Sequence, residues 1–155
     1  MKDLGFYKID IRAKIPAYAT PGAACFDFHC LLSEGTDFVY LFAGTNLILG
    51  CGLIPVIPEG YSLRIHPRSG LAFKNNITLV NCEGIIDNDY ADEIKFNLIK
   101  FDDNFEQINE PLKICCGDRI AQGELVKNES TCLREIYERP SYKWNRKGGF
   151  GSTGK

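Results

Sequence analysis

The sequence lacks most of what would tie a small protein to a nucleic acid, a membrane or a disulfide scaffold. Its charges nearly cancel: 18 Lys and Arg against 20 Asp and Glu leave a net charge of -2. That balance disfavours a basic nucleic-acid-binding face, and no nucleic-acid partner is expected. A polyanionic ligand would need a local basic cluster. No apolar run approaches the roughly 18 residues of a membrane span, so no membrane association is expected. Met1 to Asp10 mixes charged and apolar residues and has no apolar core of a secretion signal. The seven cysteines are an odd number, which argues against a closed disulfide framework, and no C-x-x-C pair offers zinc spacing. They read as reduced, mostly buried thiols of an intracellular protein, cytoplasmic or nuclear. Helical periodicity is nearly absent, and there is no internal repeat.

What is present is β patterning. Tyr61, Leu63 and Ile65 alternate with Ser62, Arg64 and His66, and Ile94, Phe96 and Leu98 alternate with Lys95 and Asn97. Period two means one buried and one wet face. Further strands are predicted at Ile9–Ile11, Asp37–Phe42, Gly52–Ile57, up to Ile114, at Arg119–Val126 and at Cys132–Ile136. Turn residues punctuate them at Pro21-Gly22, Gly44, Pro58-Glu59-Gly60, Asn75-Asn76 and Gly117-Asp118. One or two helical turns are expected at Ser69–Lys74. This is the pattern of a β-sandwich or barrel over residues 1–139. From Arg139-Pro140 the alternation stops, and residues 140–155 read as a glycine-rich arm that cannot pack by itself. Fully extended, its ~15 residues reach ~50 Å, enough to cross to a neighbouring subunit.

Four places could carry chemistry, and each also has a purely structural reading. The arm's Gly148 to Gly154 lets backbone N–H groups converge on an anion, and Phe150 among glycines could stack on a base; alternatively it is a floppy terminus. Pro67-Arg68-Ser69-Gly70, between a strand and a helical turn, suits a phosphate; otherwise Ser69 caps the turn and Arg68 pairs on the surface. In Gly84–Tyr90, Asp87 beside buried Ile85 and Ile86 would be partly desolvated, a base for a water; otherwise Asp87-Asn88-Asp89 is turn chemistry. Cys25, Asp27 and His29 share a strand face, though three ligands on alternate strand positions fit tetrahedral zinc poorly. His66 reads as a hydrogen-bonded strand residue, Asp118-Arg119 as an ion pair closing a turn, and Gln122 as a spare donor that could face a phosphate.

Taken in order, the segments Tyr18–Phe28, Pro67–Ala72, Gly84–Tyr90, Gly117–Gln122 and Gly148–Gly154 resemble the five ordered motifs of the trimeric dUTPase family. The resemblance spans residues ~18 to 154, and five motifs in order are highly specific. It implies an all-β, jelly-roll-like (β-clip) fold and a homotrimer with C-terminal arm exchange. Each active site would lie at a subunit interface. The implied reaction is magnesium-assisted hydrolysis of dUTP to dUMP and pyrophosphate, which keeps uracil out of DNA and supplies dUMP for thymidylate synthesis.

The resemblance also implies roles. Asp87 orients and deprotonates the water that attacks the α-phosphorus. Arg68, Ser69, Gly70 and Gln122 bind phosphate. Asn81, the backbone of Gly84, Ile85 and Ile86, and Lys95 line the uracil pocket. Tyr90 lies under the deoxyribose and leaves no space for a 2′-hydroxyl. Phe150 stacks on uracil when the arm closes, Gly151, Ser152 and Thr153 touch the γ-phosphate, and Arg146 reaches it as well. Asp27 stands near the Mg2+ and acts through water, since a metal bridging phosphates needs no protein cage. The sequence departs from the family pattern at several positions. Asn145 stands where the family's arm arginine is usual, with Arg146 one place later and Lys147 after it. Ala23 and Cys25 replace Ser and Gly, and Ala91-Asp92 follows Tyr90.

Two other functions use the same fold. A dCTP deaminase relative would need a glutamate-based proton relay, against which the intact Gly84–Tyr90 stretch and Phe150 speak. A nucleotide-binding regulatory protein would not need Asp87, Arg68 and Phe150 together. Phe101–Lys113 is a polar, acidic loop, either solvated or a partner surface.

Overall fold

The computed structural model describes residues 2–101 and 110–141. The sequence-predicted arm residues Arg146, Phe150, Gly151, Ser152 and Thr153, and most of the acidic loop, lie outside the described residues. In chain order the strands are β1 (Gly5–Lys8), β2 (Ala17–Tyr18), β3 (Phe26–His29), β4 (Phe38–Leu41), β5 (Asn46–Gly50), β6 (Leu53–Val56) and β7 (Tyr61–His66). One short helix, α1 (Ser69–Asn75), follows, and then β8 (Ile77–Leu79), β9 (Gly84–Ile86), β10 (Lys95–Lys100), β11 (Leu112–Cys115) and β12 (Arg119–Lys127). The all-β expectation holds.

The strands pair antiparallel into a five-stranded sheet ordered β2-β3-β12-β7-β9, a three-stranded sheet β5-β10-β8, and the pairs β1-β6 and β11-β4. The five- and three-stranded sheets meet at Phe28 of β3 and Phe96 of β10, whose ring centroids are 5.4 Å apart. Phe6 and Phe26 approach Phe28 edge-on at 5.9 and 5.6 Å, the geometry that ring quadrupoles prefer. Phe28 is fully buried, and truncating such a ring to Ala costs about 3–5 kcal/mol. Gly123 of β12 makes room for this cluster: a Cβ there would lie 2.7 Å from the Phe28 ring and 3.1 Å from the Arg64 carbonyl.

The alternation at β10 matches its burial, and in β7 Leu63 and Ile65 are buried as expected; Ser62, expected on the wet face, is buried as well, its hydroxyl donating to Asn128 Oδ1 at 2.8 Å. In β12 the pairing with β3 slips between Arg119 and Ala121, a bulge that turns both Ile120 and Ala121 inward and breaks strict alternation. Two predicted strands do not form. At Ile9–Ile11 the Asp10 carboxylate accepts the Arg12 N–H and the Ala13 N–H bonds to the Asp10 carbonyl, so the chain turns and Ile11 is left exposed. Cys132–Ile136 has no pairing strand among the described residues and is exposed. Nor are the cysteines mostly buried: Cys30 and Cys51 are, whereas Cys82, Cys116 and Cys132 are exposed. No helix among the described residues is long and apolar enough to cross a membrane.

Candidate active site

The chain passes from one sheet to the other and back around the Gly84–Tyr90 motif. β8 lies in the three-stranded sheet, β9 at the edge of the five-stranded sheet, and β10 back in the first. A tight turn at Val80–Glu83, with Cys82 at φ 61°, makes the first switch. A second turn, closed by the Tyr90 N–H on the Asp87 carbonyl at 3.2 Å, makes the return. The walls of this excursion enclose a cleft of about 880 Å3. Asn81, Gly84, Ile85, Ile86, Asp87, Tyr90 and Lys95, all read from the sequence as site residues, line it together.

The cleft is suited to reading a ligand with main-chain groups. Among the described residues β9 ends its sheet, so one row of its N–H and C=O groups has no neighbouring strand there. Gly84 pairs with Ile65 in register, and a Cβ there would sit 3.1 Å from the Ile65 Cβ, so the glycine allows close approach of the two strands. Asp87 ends this strand with an exposed carboxylate. It is therefore open to water in the single chain, not desolvated as the sequence suggested. Ile85 is 57% exposed rather than buried, because β9 is an edge strand, while Ile86 packs partly against the core. The Tyr90 hydroxyl donates to the Glu93 carbonyl at 2.8 Å, and burial, followed by the nearby Asp92 and Glu93 charges, pushes its pKa up.

A second group forms where β3, β12 and the end of β7 meet. Arg68 Nε donates to Asp27 Oδ1 at 2.8 Å, and Arg119 donates to Asp27 Oδ2 at 3.0 Å. Arg68 also donates to the Arg119 carbonyl at 3.0 Å. Gln122 Nε2 donates to the Pro67 carbonyl at 2.9 Å, so this predicted phosphate donor holds the turn that presents Arg68. Asp118 closes its turn by accepting the Cys115 N–H, and Arg119 reaches Asp27 instead of pairing with Asp118. Ser69 and Gly70 are exposed at the start of α1; the cap is Arg68, in an extended conformation with no side-chain capping bond, so the Ser69 hydroxyl is not spent as a cap. His66 Nε2 lies 3.1 Å from Glu124, the hydrogen-bonded strand residue expected.

Asp27 and His29 share a face of β3, but both Asp27 oxygens face guanidinium groups, and no cluster of three His, Cys, Asp or Glu suited to a metal occurs among the described residues. The described residues therefore do not form a protein cage for a metal, and Asp27 is engaged by two guanidinium groups.

The two groups do not converge in one chain. Register places Leu63 opposite Ile86, hence Asp87 beyond Ser62, whereas Arg68 follows the far end of β7. The four strand positions from 62 to 66 alone span about 13 Å, and Arg68 is held beyond that end by Asp27, out of direct contact with Asp87.

Fold and cleft thus define a class: a small antiparallel β protein with a main-chain-walled cleft at a sheet edge and a separate guanidinium cluster. The chain belongs to the dUTPase family, whose model matches residues 12–154. It is 42% identical to the deoxyuridine 5'-triphosphate nucleotidohydrolase of Rhizobium rhizogenes, over 90% of this chain and 85% of that one. It is 40% identical to that of Nautilia profundicola, over 96% of both. Among solved structures, a variant dUTPase of Staphylococcus bacteriophage 80alpha with dUpNHpp superposes with a TM-score of 0.81 at 21% identity, covering 99% of each chain. A phage phi11 dUTPase described with a structural Mg(II) ion gives 0.75 at 18% identity, covering 88% of this chain and 98% of that one. At such identity these two establish the fold.

Local spacing pairs Arg119 with Asp118 and sets Glu93 among the acidic residues around Gly84–Tyr90; it does not show that the first reaches Asp27 or that the second accepts the Gly52 N–H. The register of β12 on β3, which sets Arg119 opposite His29, is the non-local fact that places the first.

Proposed function

We propose that the chain hydrolyses dUTP to dUMP and pyrophosphate, with Asp87 as the base. Membership of the dUTPase family carries the reaction, and the cleft supports the assignment of roles. Water attacks the α-phosphorus: a P–O bond forms to the water oxygen, the bond from that phosphorus to the bridging oxygen breaks, and pyrophosphate leaves. Asp87 takes the water's proton, a task for which its exposed position at the end of β9 leaves it accessible. Uracil lies against Asn81, Lys95 and the unpaired main-chain edge of Gly84, Ile85 and Ile86, whose fixed donors and acceptors distinguish it from cytosine. Tyr90, anchored through its hydroxyl, backs the deoxyribose and excludes a ribose.

Arg68, Ser69, Gly70 and Gln122 form the phosphate half, with Gln122 acting through the turn it holds. Because this half stands at the opposite end of β7 from Asp87 in one chain, a complete site needs more than one copy. That supports the homotrimer, and the arm, residues 140–155, would then close from a neighbour with Phe150 on the base and Arg146, Gly151, Ser152 and Thr153 on the γ-phosphate. Magnesium, held by phosphate and water beside Asp27, would offset the charge of the triphosphate.

The observation that carries the reading is that seven residues expected in the site, five of them from the Gly84–Tyr90 motif, line one cleft. The test is pyrophosphate release from dUTP, dCTP, dTTP and UTP at equal concentration with magnesium. Release from dUTP alone is expected. Tight dUTP binding without release from any of the four would refute the enzyme reading.

A further inference from the structure

Next to the cleft, residues Glu93 and Ile94 are stitched to the connection between β5 and β6. The Gly52 N–H donates to Glu93 Oε1 at 2.8 Å. The Ile94 N–H donates to the Leu53 carbonyl at 3.0 Å, and the Cys51 thiol to the Ile94 carbonyl at 3.4 Å. Of these three bonds only the first uses a side chain of the cleft segment. The pocket for that side chain is built to size: a Cβ on Gly50 would fall 2.3 Å from Glu93 Oε1, and Gly52 sits at φ +71° with Ala13 and Leu31 closing on it. Glu93 is partly buried and does not itself line the cleft. Its own carbonyl, however, accepts the Tyr90 hydroxyl at 2.8 Å. One residue thus joins the sugar-side ring to a turn some forty positions earlier in the chain.

We infer that Glu93 is a positioning residue for discrimination against ribonucleotides: its carboxylate, seated on the Gly52 N–H in the notch left by Gly50, fixes the carbonyl that holds the Tyr90 ring. The inference rests on the reading of Tyr90 as the deoxyribose wall. Rejecting one hydroxyl demands a wall that does not yield, because a ring free to rotate or retreat by an ångström admits the extra oxygen. A hydrogen bond from the ring to a main-chain carbonyl gives that stiffness only if the carbonyl is itself held. The Asp92 carboxylate, accepting the Glu93 N–H at 3.0 Å, constrains the other side of the same residue.

The experiment is the ratio of kcat/KM for dUTP over UTP in Glu93→Ala, Glu93→Gln, Gly50→Ala and Tyr90→Ala, with thermal melting as a control for folding. Glu93→Ala removes the acceptor, Glu93→Gln keeps an oxygen for the Gly52 N–H, and Gly50→Ala leaves Glu93 intact but displaces its carboxylate. Glu93→Ala and Gly50→Ala are expected to lower the ratio about tenfold, the scale of one lost hydrogen bond, through faster turnover of UTP. Glu93→Gln should stay within about twofold of the parent, a rescue that loss of stability alone does not produce. If Glu93→Ala does not fold, Gly50→Ala decides. A ratio that falls in Tyr90→Ala but is unchanged in Glu93→Ala and Gly50→Ala overturns the inference about Glu93 alone. A ratio unchanged in Tyr90→Ala overturns the reading of Tyr90 beneath it.

Discussion

Replacing Asp27 by Asn removes one charge and one acceptor from the point where two arginines meet. The carboxylate is mostly buried, with 13% of its side chain exposed, and it accepts from Arg68 and Arg119 through different oxygens. An amide has one acceptor oxygen, so one guanidinium must face an N–H donor. The better-buried Arg68 should keep the oxygen, since its side chain is 22% exposed against 50% for Arg119. The loss is about 1 kcal/mol from the Arg68 bond becoming charge–neutral, about 0.5 from the screened Arg119 bond, and about 0.5 from the donor–donor contact, roughly 2 kcal/mol in all. For a chain of this size that lowers the melting temperature by about 4–8 °C. The assay is thermal unfolding at fixed protein concentration, without nucleotide or magnesium, followed by the KM for dUTP. The KM should rise several-fold as Arg68 loses its fixed orientation. A metal-free melting temperature within 1 °C of the parent, as an order-of-magnitude limit, would refute the clamp. Asp27 would then matter only through magnesium, and any rise in KM should disappear as magnesium is raised.

Asp87→Asn should keep dUTP binding and lose about 10²–10⁴-fold or more in turnover, because the amide cannot take a proton; near-normal turnover in single-turnover assays would remove Asp87 from its role. Deleting residues 144–155 should leave a folded protein with little activity, since the alternating strand pattern ends before Pro140; full activity would make the arm dispensable. Burial pushes the Cys51 thiol up to about 12 from the ordinary 9.0. Its folded-state pKa is raised, so its stabilisation is complete below the unfolded value and is lost as pH climbs from about 9 towards about 12, because only the unfolded chain can ionise it. Urea unfolding at pH 8 and pH 10 should show a steeper fall for the parent than for Cys51→Ala, and equal slopes would contradict the assignment.

Much of this protein was legible from the chain alone, and the reason is locality. Strand alternation at Tyr61–His66 and in Lys95–Lys100 reports a face, and a face needs no knowledge of the partner. The turn after Asp87 and the ordered motifs are likewise contiguous stretches, so the cleft they build could be anticipated residue by residue. Ile9–Ile11 misled because alternation cannot show that Asp10 will cap its own turn, and Cys132–Ile136 because a strand needs a partner that the described residues do not offer it. The exposure of Ile85 and Asp87 followed from β9 lying at a sheet edge, a property of strand order rather than of sequence. Only the tertiary structure decided that Arg68 and Arg119 share Asp27, that Glu93 answers to Gly52, and that the cleft's Asp87 and the guanidinium cluster stand apart in one chain. Each depends on the register between strands distant in sequence, set by which hydrophobic faces pack together, and no local pattern encodes it.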